Sequence, residues 1–129
     1  MRVVHRLLLV GLLASGLAAP AQAQRILGTW RARTPDDTWA TVVVRADSSA
    51  SLGDQTVRWR VVGDSLWLAL GDGTWSVYGM RVHSGARRLT VSGGDLEEPI
   101  TLERVGPPSP RPPGAEIPAA PPDTARAIP

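Results

Sequence analysis

The chain contains no cysteine, no lysine and no phenylalanine. Without cysteine it can form no disulfide, and it lacks the residue through which bacterial lipoproteins are anchored to membranes. The same absence removes the thiolate ligands of most structural zinc sites. All 14 positively charged residues are arginine, whose charge persists to high pH, and this explains the basic isoelectric point of about 10.4.

Residues 1–23 have the features of a secretory signal peptide. Two arginines precede an apolar segment from Leu7 to Ala19, and Ala21-Gln22-Ala23 matches a small-x-small cleavage site. The apolar segment is short for a membrane span and ends in a processing site, which favours a cleaved signal over an anchor. We therefore expect cleavage after Ala23, a periplasmic or secreted protein, and no membrane span in the mature chain.

The mature chain is electrically balanced. Two of the 14 arginines leave with the signal, so 12 arginines face 12 aspartates and glutamates and the formal charge is zero. Nucleic acids and anionic membrane surfaces attract proteins that collect excess positive charge on one face. The composition therefore argues against nucleic acid as a partner.

The C-terminal segment, residues 107–129, is a proline-rich tail with nine prolines among its 23 residues. It has almost no large apolar side chains and cannot bury enough surface to offset the entropy of ordering. We expect a disordered, partly polyproline-II extension. A proline-rich ligand for another domain is the alternative, and a plain solvated tail is the favoured interpretation.

Between these segments, residues 24–106 have the pattern of one small all-β domain. Short runs rich in Val, Leu, Thr and Trp alternate with Gly, Asp and Ser, and no window has a sustained helical period. The pattern predicts an antiparallel up-and-down meander. Its candidate strands are 25–33, 38–46, 55–62, 65–71, 74–83, 86–92 and 99–105.

Two tight turns predict the register of this meander. A two-residue loop at Gly63-Asp64 pairs Trp59 with Leu68, and a two-residue loop at Asp72-Gly73 pairs Leu68 with Val77. Both registers place the leucines of the middle strand on one apolar face. The second register turns Val77 inward, out of phase with Met80, so it also requires a bulge at Gly79.

Alternation along the strands also assigns faces to the tryptophans. It places three of the five in the core: Trp30, Trp59 and Trp75. Trp67 faces outward, and the two registers place it between Arg60 and Tyr78 in an outward row. These three residue types are enriched at binding hot spots, whereas a cation over an indole also stabilises a sheet by itself. The row is therefore either an interaction patch or a stabilising cross-strand cluster.

A Gly-x-Trp at Gly28-Thr29-Trp30, a meander of short strands and an arginine in the last strand resemble the lipocalin-like, or calycin, barrels. The similarity is to short bacterial secreted domains of this type, and it covers about residues 25–105. It implies a barrel of seven or eight short strands, closed at one end by Trp30 packed against Arg104. A guanidinium stacked on an indole is buried at lower cost than an ammonium.

Catalytic and metal chemistry have few residues to draw on. The mature chain has one histidine, His83, at a hairpin end, and no nucleophile motif such as Gly-x-Ser-x-Gly. Asp95, Glu97 and Glu98 share an acidic loop but lack the ligand order of a known calcium loop. The sequence therefore predicts no catalytic residue, no metal and no cofactor, and a protein that is not an enzyme.

Two functions from different classes fit these features. The first is a non-catalytic secreted lipocalin-like domain that binds a small apolar ligand at the open end of its barrel. The second is an envelope protein-interaction or structural domain that uses an outer aromatic face or the proline-rich tail. A cavity of roughly a few hundred Å³ favours the ligand, and a packed interior favours contact with an envelope protein.

Overall fold

In a computed structural model that describes residues 21–34 and 36–127, the chain forms a closed β-barrel. Over these residues, eight antiparallel strands follow one another around the barrel, and the eighth pairs with the first. The strands are β1 (Gly28–Arg33), β2 (Trp39–Val44), β3 (Ser49–Leu52), β4 (Gln55–Val62), β5 (Ser65–Ala69), β6 (Trp75–Val82), β7 (Arg88–Ser92) and β8 (Ile100–Gly106). The predicted all-β up-and-down meander is confirmed.

The two ends of the barrel differ in what covers them. A five-residue helix, α1 (Ala21–Arg25), precedes β1, and Ala23 and Ile26 are buried in the core. We call this the closed end; its loops are 45–48, 63–64 and 83–87, the last holding a 3₁₀ turn at Ser84–Ala86. Of the signal segment, only residues 21–23 fall in the described part of the chain.

The other end, here the open end, carries the β1–β2 loop and the loops 53–54, 70–74 and 93–99. Neither α1 nor the 3₁₀ turn, the helices of the described part, has the length or apolar character to cross a membrane.

The barrel interior holds one packed apolar cluster, in which Trp30 and Val57 are fully buried. The indole N–H of Trp30 donates to the Ile26 carbonyl at 2.9 Å, and that of Trp59 donates to the Arg45 carbonyl at the same distance. Both large aromatic side chains are therefore buried with their one polar atom satisfied, which is what makes their burial favourable.

The strand β3 was not among the predicted strands. Its sequence, Ser-Ala-Ser-Leu, contains no β-branched or aromatic residue, so composition gives little β signal. Pairing with β2 on one side and β4 on the other satisfies its backbone. The strand is nevertheless deeply buried: Ser49 is 0% exposed and Ala50 is 2% exposed.

Of the two predicted turns, the first is confirmed and the second is wrong. Val62 pairs with Ser65 around the two-residue loop Gly63-Asp64, and Trp59 pairs with Leu68 as predicted. Leu68 pairs with Ser76 instead of Val77, because five residues, 70–74, join β5 to β6. Within that loop, Asp72 Oδ1 accepts a hydrogen bond from the Thr74 N–H at 3.2 Å, an Asx-type turn that makes the loop longer than a two-residue hairpin.

This shift of one residue reverses the faces of β6. Trp75 and Val77 point outward and pack with Trp67, whereas Tyr78 packs against the interior cluster with Met80. The register continues through Gly79 without a bulge. The placements of Trp75 in the barrel core and of Tyr78 in an outward row are therefore corrected, as a one-residue slip must exchange the two faces of a strand.

The proline-rich tail lies along the outside of the barrel instead of in solvent. Its carbonyl groups accept hydrogen bonds from strand side chains: Pro107 from Thr29, Ser109 from Arg45, Pro118 from Arg58 and Pro121 from Trp75. It ends in a short strand, β9 (Arg126–Ala127), that pairs in parallel with Trp75 and Ser76. The expected solvated, disordered tail is wrong over residues 107–127, because the barrel provides the donors and apolar surface that the tail lacks.

Candidate functional site

The closed end is organised around Trp30 and Arg104. The two residues pair across β1 and β8, and Arg104 Cζ lies 4.4 Å from the centroid of the Trp30 ring. The guanidinium also donates to the carbonyls of Arg25, Leu27 and Ala86. The contact implied by the lipocalin-like resemblance is therefore present, and the arginine ties the chain before β1 to the loop before β7.

The glycine of the Gly-x-Trp motif has a physical reason in this arrangement. A Cβ on Gly28 would overlap the Arg104 guanidinium, and Gly28 has φ +155°, which side-chain-bearing residues rarely adopt. The backbone of β1 thus leaves the space through which Arg104 reaches the carbonyl of Leu27.

The open end presents apolar side chains that are only partly buried. These residues stand at or beside the strand ends and pack against the interior cluster from above: Leu52, Leu68, Leu70, Val91 and Ile100. Deeper residues of the same interior, such as Val57 and Leu102, are buried. The interior is therefore an apolar surface that becomes accessible toward the open end.

The loops around this end carry seven carboxylates and no arginine: Asp36, Asp37, Asp54, Asp72, Asp95, Glu97 and Glu98. Hydrogen bonds from Thr34 and Thr38 hold the pKa of Asp36 below its ordinary value. Asp37 pairs with Arg33 at 2.5 Å, both side chains being exposed. The described residues contain no group of three or more His, Asp or Glu side chains placed to hold a metal ion.

Tyr78 lies at this rim and is held by the β7–β8 loop. Its hydroxyl donates to Asp95 Oδ1 at 2.9 Å. Burial raises the pKa of Tyr78 to about 12, and the hydrogen bond and charge of Asp95 act in the same direction. A Cβ on Gly94 would lie 2.6 Å from the tyrosine ring. Only glycine lets the loop approach this closely, a role that sequence reasoning did not assign to Gly94.

A second surface, which we call the outer groove, lies on the outside of β4, β5 and β6 and consists of Arg58, Arg60, Trp67 and Trp75. The Arg60 guanidinium carbon is 4.5 Å from the Trp67 ring and 4.7 Å from the Trp75 ring. The two indoles meet edge to face with centroids 5.8 Å apart. The predicted neighbours Arg60 and Trp67 are thus together, and Trp75 takes the place expected for Tyr78.

The outer groove is covered by the tail. Trp75 is 1% exposed and its indole N–H donates to the Pro121 carbonyl at 2.9 Å. Asp123 pairs with Arg60 at 2.7 Å, and the Arg126 guanidinium lies 5.3 Å from the Trp67 ring. The sequence analysis did not find this contact, because the composition of the tail does not show which barrel residues it meets.

At the beginning of the tail, Arg45 binds the backbone of Ser109, which lies among the first prolines. This arginine is 6% exposed; its Nε donates to the Ser109 carbonyl at 2.6 Å and its Nη2 to Ser51 Oγ at 2.8 Å. Burial tends to raise the pKa of nearby Asp47, but hydrogen bonds from Ser49 and the charges of Arg111 and Arg45 outweigh it and hold that pKa below its ordinary value. An open groove of about 500 Å³ lies between this loop and residues 108–111.

Three further features lie apart from these surfaces. His83 lies at a hairpin end as predicted, and its Nε2 shares a hydrogen bond of 2.8 Å with Thr90 Oγ1. Trp39, 46% exposed, is stacked between Arg31 and Arg33 at 4.3 and 4.7 Å. A cleft of about 260 Å³ lies between α1 and β4, where Leu27 and Trp59 form part of its wall.

Comparison of the chain with protein-family models, with curated proteins and with solved structures finds no match in any of the three. The architecture therefore rests on the geometry alone, which is that of an eight-stranded antiparallel closed barrel compatible with a lipocalin-like barrel.

Proposed function

We propose that this protein is a non-catalytic, secreted, lipocalin-like module that binds a small apolar ligand at the open end of its barrel. The observation that supports the proposal is the contrast between the ends of the interior. The closed end is filled by Trp30, Arg104 and α1, whereas Leu68, Val91 and Ile100 remain partly accessible at the other. The barrel interior itself is packed, so the proposed site is this partly exposed apolar surface at the open end, with polar groups at its rim.

The proposed location follows from the signal segment, residues 1–23. Cleavage after Ala23 would remove three of the five residues of α1, including the buried Ala23. It would leave the carbonyls of Arg25, Ile26 and Leu27, which accept hydrogen bonds from Arg104 and Trp30. The mature protein in the periplasm or outside the cell would therefore keep the contact between Trp30 and Arg104, although it would lose most of α1.

The charge at the rim narrows the ligand class. Seven carboxylates surround the open end, of which Asp37 is paired with Arg33 at the end of β1, and the loops there contain no arginine. A field of this sign repels anionic amphiphiles and favours neutral or cationic ones. An apolar molecule without a carboxylate or phosphate head is the expected ligand.

The other candidate surface is already occupied. The outer groove, which a role as an envelope interaction domain would use, is covered by residues 118–126 of the same chain. A cleft at the closed end, between α1 and β4, is also accessible, but the open end has the larger set of partly buried apolar side chains that pack on the interior.

The experiment is a titration of the full chain with three fluorescent amphiphiles that share one apolar tail and carry neutral, cationic or anionic heads. We expect the neutral and cationic probes to bind at least tenfold more tightly than the anionic probe. The variant Leu68→Gln should weaken binding at least tenfold. Its matched control is Val105→Gln, which changes an exposed side chain at the closed end and should leave binding unchanged.

Failure of every probe to bind, or equal effects of the two glutamine variants, would show that the open end is not a ligand site. Circular dichroism and thermal unfolding of both variants separate a lost site from a lost fold.

A further inference from the structure

The tail segment 118–126 meets the outer groove with a regular spacing. Arg58 Nε donates to the Pro118 carbonyl at 2.6 Å, and Trp75 Nε1 donates to the Pro121 carbonyl at 2.9 Å. A polyproline-II helix has three residues per turn and rises about 3.1 Å per residue. In that conformation, carbonyls three residues apart point to the same side about 9 Å from each other. The carbonyls of Pro118 and Pro121 have this spacing in the sequence, and both accept hydrogen bonds from the groove, on β4 and β6.

The chemistry of the two partners is complementary at each of these points. Proline has no backbone N–H, so the Pro118 and Pro121 positions offer only acceptors. The groove offers donors there, and Arg60 adds an ion pair to Asp123 two residues farther on. The recognised pattern is Pro-x-x-Pro-x-Asp, which spans Pro118 to Asp123 in this chain. Aromatic-lined grooves that bind extended proline-rich segments use the same physics.

The tail is held at a few points rather than along its length. Of residues 107–126, only Pro121 is buried. Residues 112–117 join the part anchored at Arg45 to the part in the outer groove; they are mostly exposed and include Gly114 with φ +80°. A segment with few buried contacts opens at much lower cost than the barrel itself.

We propose that the outer groove is an exchangeable recognition site for an extended Pro-x-x-Pro-x-Asp segment, and that the segment of a second copy of this chain replaces the chain's own. A second copy supplies the same carbonyls, proline and aspartate, so every contact in the groove is reproduced and only residues 112–117 change path. Reciprocal exchange closes a dimer. At low concentration the chain's own tail wins, because its linker holds it at an effective concentration on the order of millimolar.

The experiment uses full-length chains with reversed charges at the ion pair. In Arg60→Glu the groove repels the chain's own Asp123, and in Asp123→Arg the tail is repelled by the chain's own Arg60. Mixed in equal amounts, each tail matches the groove of the other variant. The double variant Arg60→Glu/Asp123→Arg restores the pair within one copy and is the control for folding and for a monomeric state.

We expect sedimentation velocity to give a dimer dissociation constant for the mixture at least tenfold lower than that of wild type, of either single variant or of the double variant. A mixture no more dimeric than its components overturns exchange between copies.

A second measurement tests the proposal even if the Arg60→Glu variant fails to fold. A fluorescein-labelled synthetic peptide of residues 116–127 should bind the Asp123→Arg chain at least tenfold more tightly than wild type. A peptide that binds neither chain means that the tail is a permanent part of the fold, and the recognition site does not exist. Peptide binding without dimerisation of the mixture would reject the second copy as the occupant.

Discussion

Trp30 and Trp75 have nearly the same surroundings on opposite sides of the barrel wall. Each is almost fully buried, each indole N–H donates to a backbone carbonyl at 2.9 Å, and each ring carries a guanidinium carbon at 4.4 or 4.7 Å. Trp30 is covered by its own barrel, with its acceptor four residues earlier. Trp75 is covered by the tail, with its acceptor 46 residues later. Similar chemistry thus depends on the barrel in one case and on a weakly held segment in the other.

The largest effect should follow removal of the inner tryptophan. We expect Trp30→Ala to lower the free energy of unfolding by about 3–5 kcal/mol, the usual cost of deleting a buried large aromatic. In a domain of this size that loss approaches the whole stability. Urea unfolding measures it, and a loss below about 1 kcal/mol would show that Trp30 does not hold the closed end together.

Removal of the tail tests the outer tryptophan. Truncation after Gly106 uncovers Trp75 and Trp67 and leaves the donors of Arg45 and Arg58 without their tail carbonyls. We expect a loss of about 2 kcal/mol from the exposed apolar area and lost hydrogen bonds. Thermal unfolding should show a drop of several degrees, and an unchanged melting temperature would mean that the tail is bound without stabilising the barrel.

Substitutions of Arg104, which stacks on Trp30, and of Arg60, which stacks on Trp75, compare the stability that each stacked arginine contributes. Arg104→Lys keeps the charge but loses donors to three carbonyls, and we expect a cost of about 2 kcal/mol. Arg60→Lys changes a partly exposed residue whose ion pair is solvent-accessible, so its cost should stay below about 1 kcal/mol. Equal costs in chemical denaturation would contradict the distinction between the two sites.

The smallest effect concerns Tyr78, which is the only tyrosine of the chain. Burial and Asp95 raise its pKa to about 12 from an ordinary value of 10. The neutral phenol is therefore favoured in the folded state, and the stability it adds is present below pH 10 and is lost as the pH rises toward 12. Absorbance at the tyrosinate band should give a raised midpoint, and Asp95→Asn should lower it; a midpoint near 10 in both chains would remove Tyr78 from the rim.

The sequence was sufficient for the features that depend on near neighbours. Alternation and the Gly63-Asp64 turn predicted the β4–β5 register. The contact between Trp30 and Arg104, which lie far apart in the sequence, was instead implied by the lipocalin-like resemblance. The β5–β6 turn was not predictable in the same way. A Gly-Asp-Gly sequence fits a two-residue hairpin as well as the five-residue loop, and the Asp72–Thr74 hydrogen bond decides between them.

Two members of the outer groove, Arg60 and Trp67, were predicted to be neighbours, but its cover by the tail was not predictable, for a different reason. A prediction of disorder from composition considers only the apolar area that the tail itself can bury. Its order depends instead on donors that the barrel folds into place, from Arg45 to Trp75. The resemblance implied a barrel with an open end, but the apolar residues at that end were not predicted. They come from strand ends that are far apart in the sequence and meet only in the folded barrel.

The short strand β9 also has a consequence for how the molecule meets other molecules of its kind. β7 pairs with β6 only from Gly79 to Val82, so the first residues of β6 extend past their neighbour. Ala125 accepts the N–H of Trp75 at 2.7 Å, and β9 continues the pairing to Ser76. An uncovered edge of this kind, beside two large indoles, is a template for sheet-to-sheet aggregation. The proline-rich tail thus covers this strand edge, and we expect its loss to promote aggregation as well as to lower the stability of the barrel.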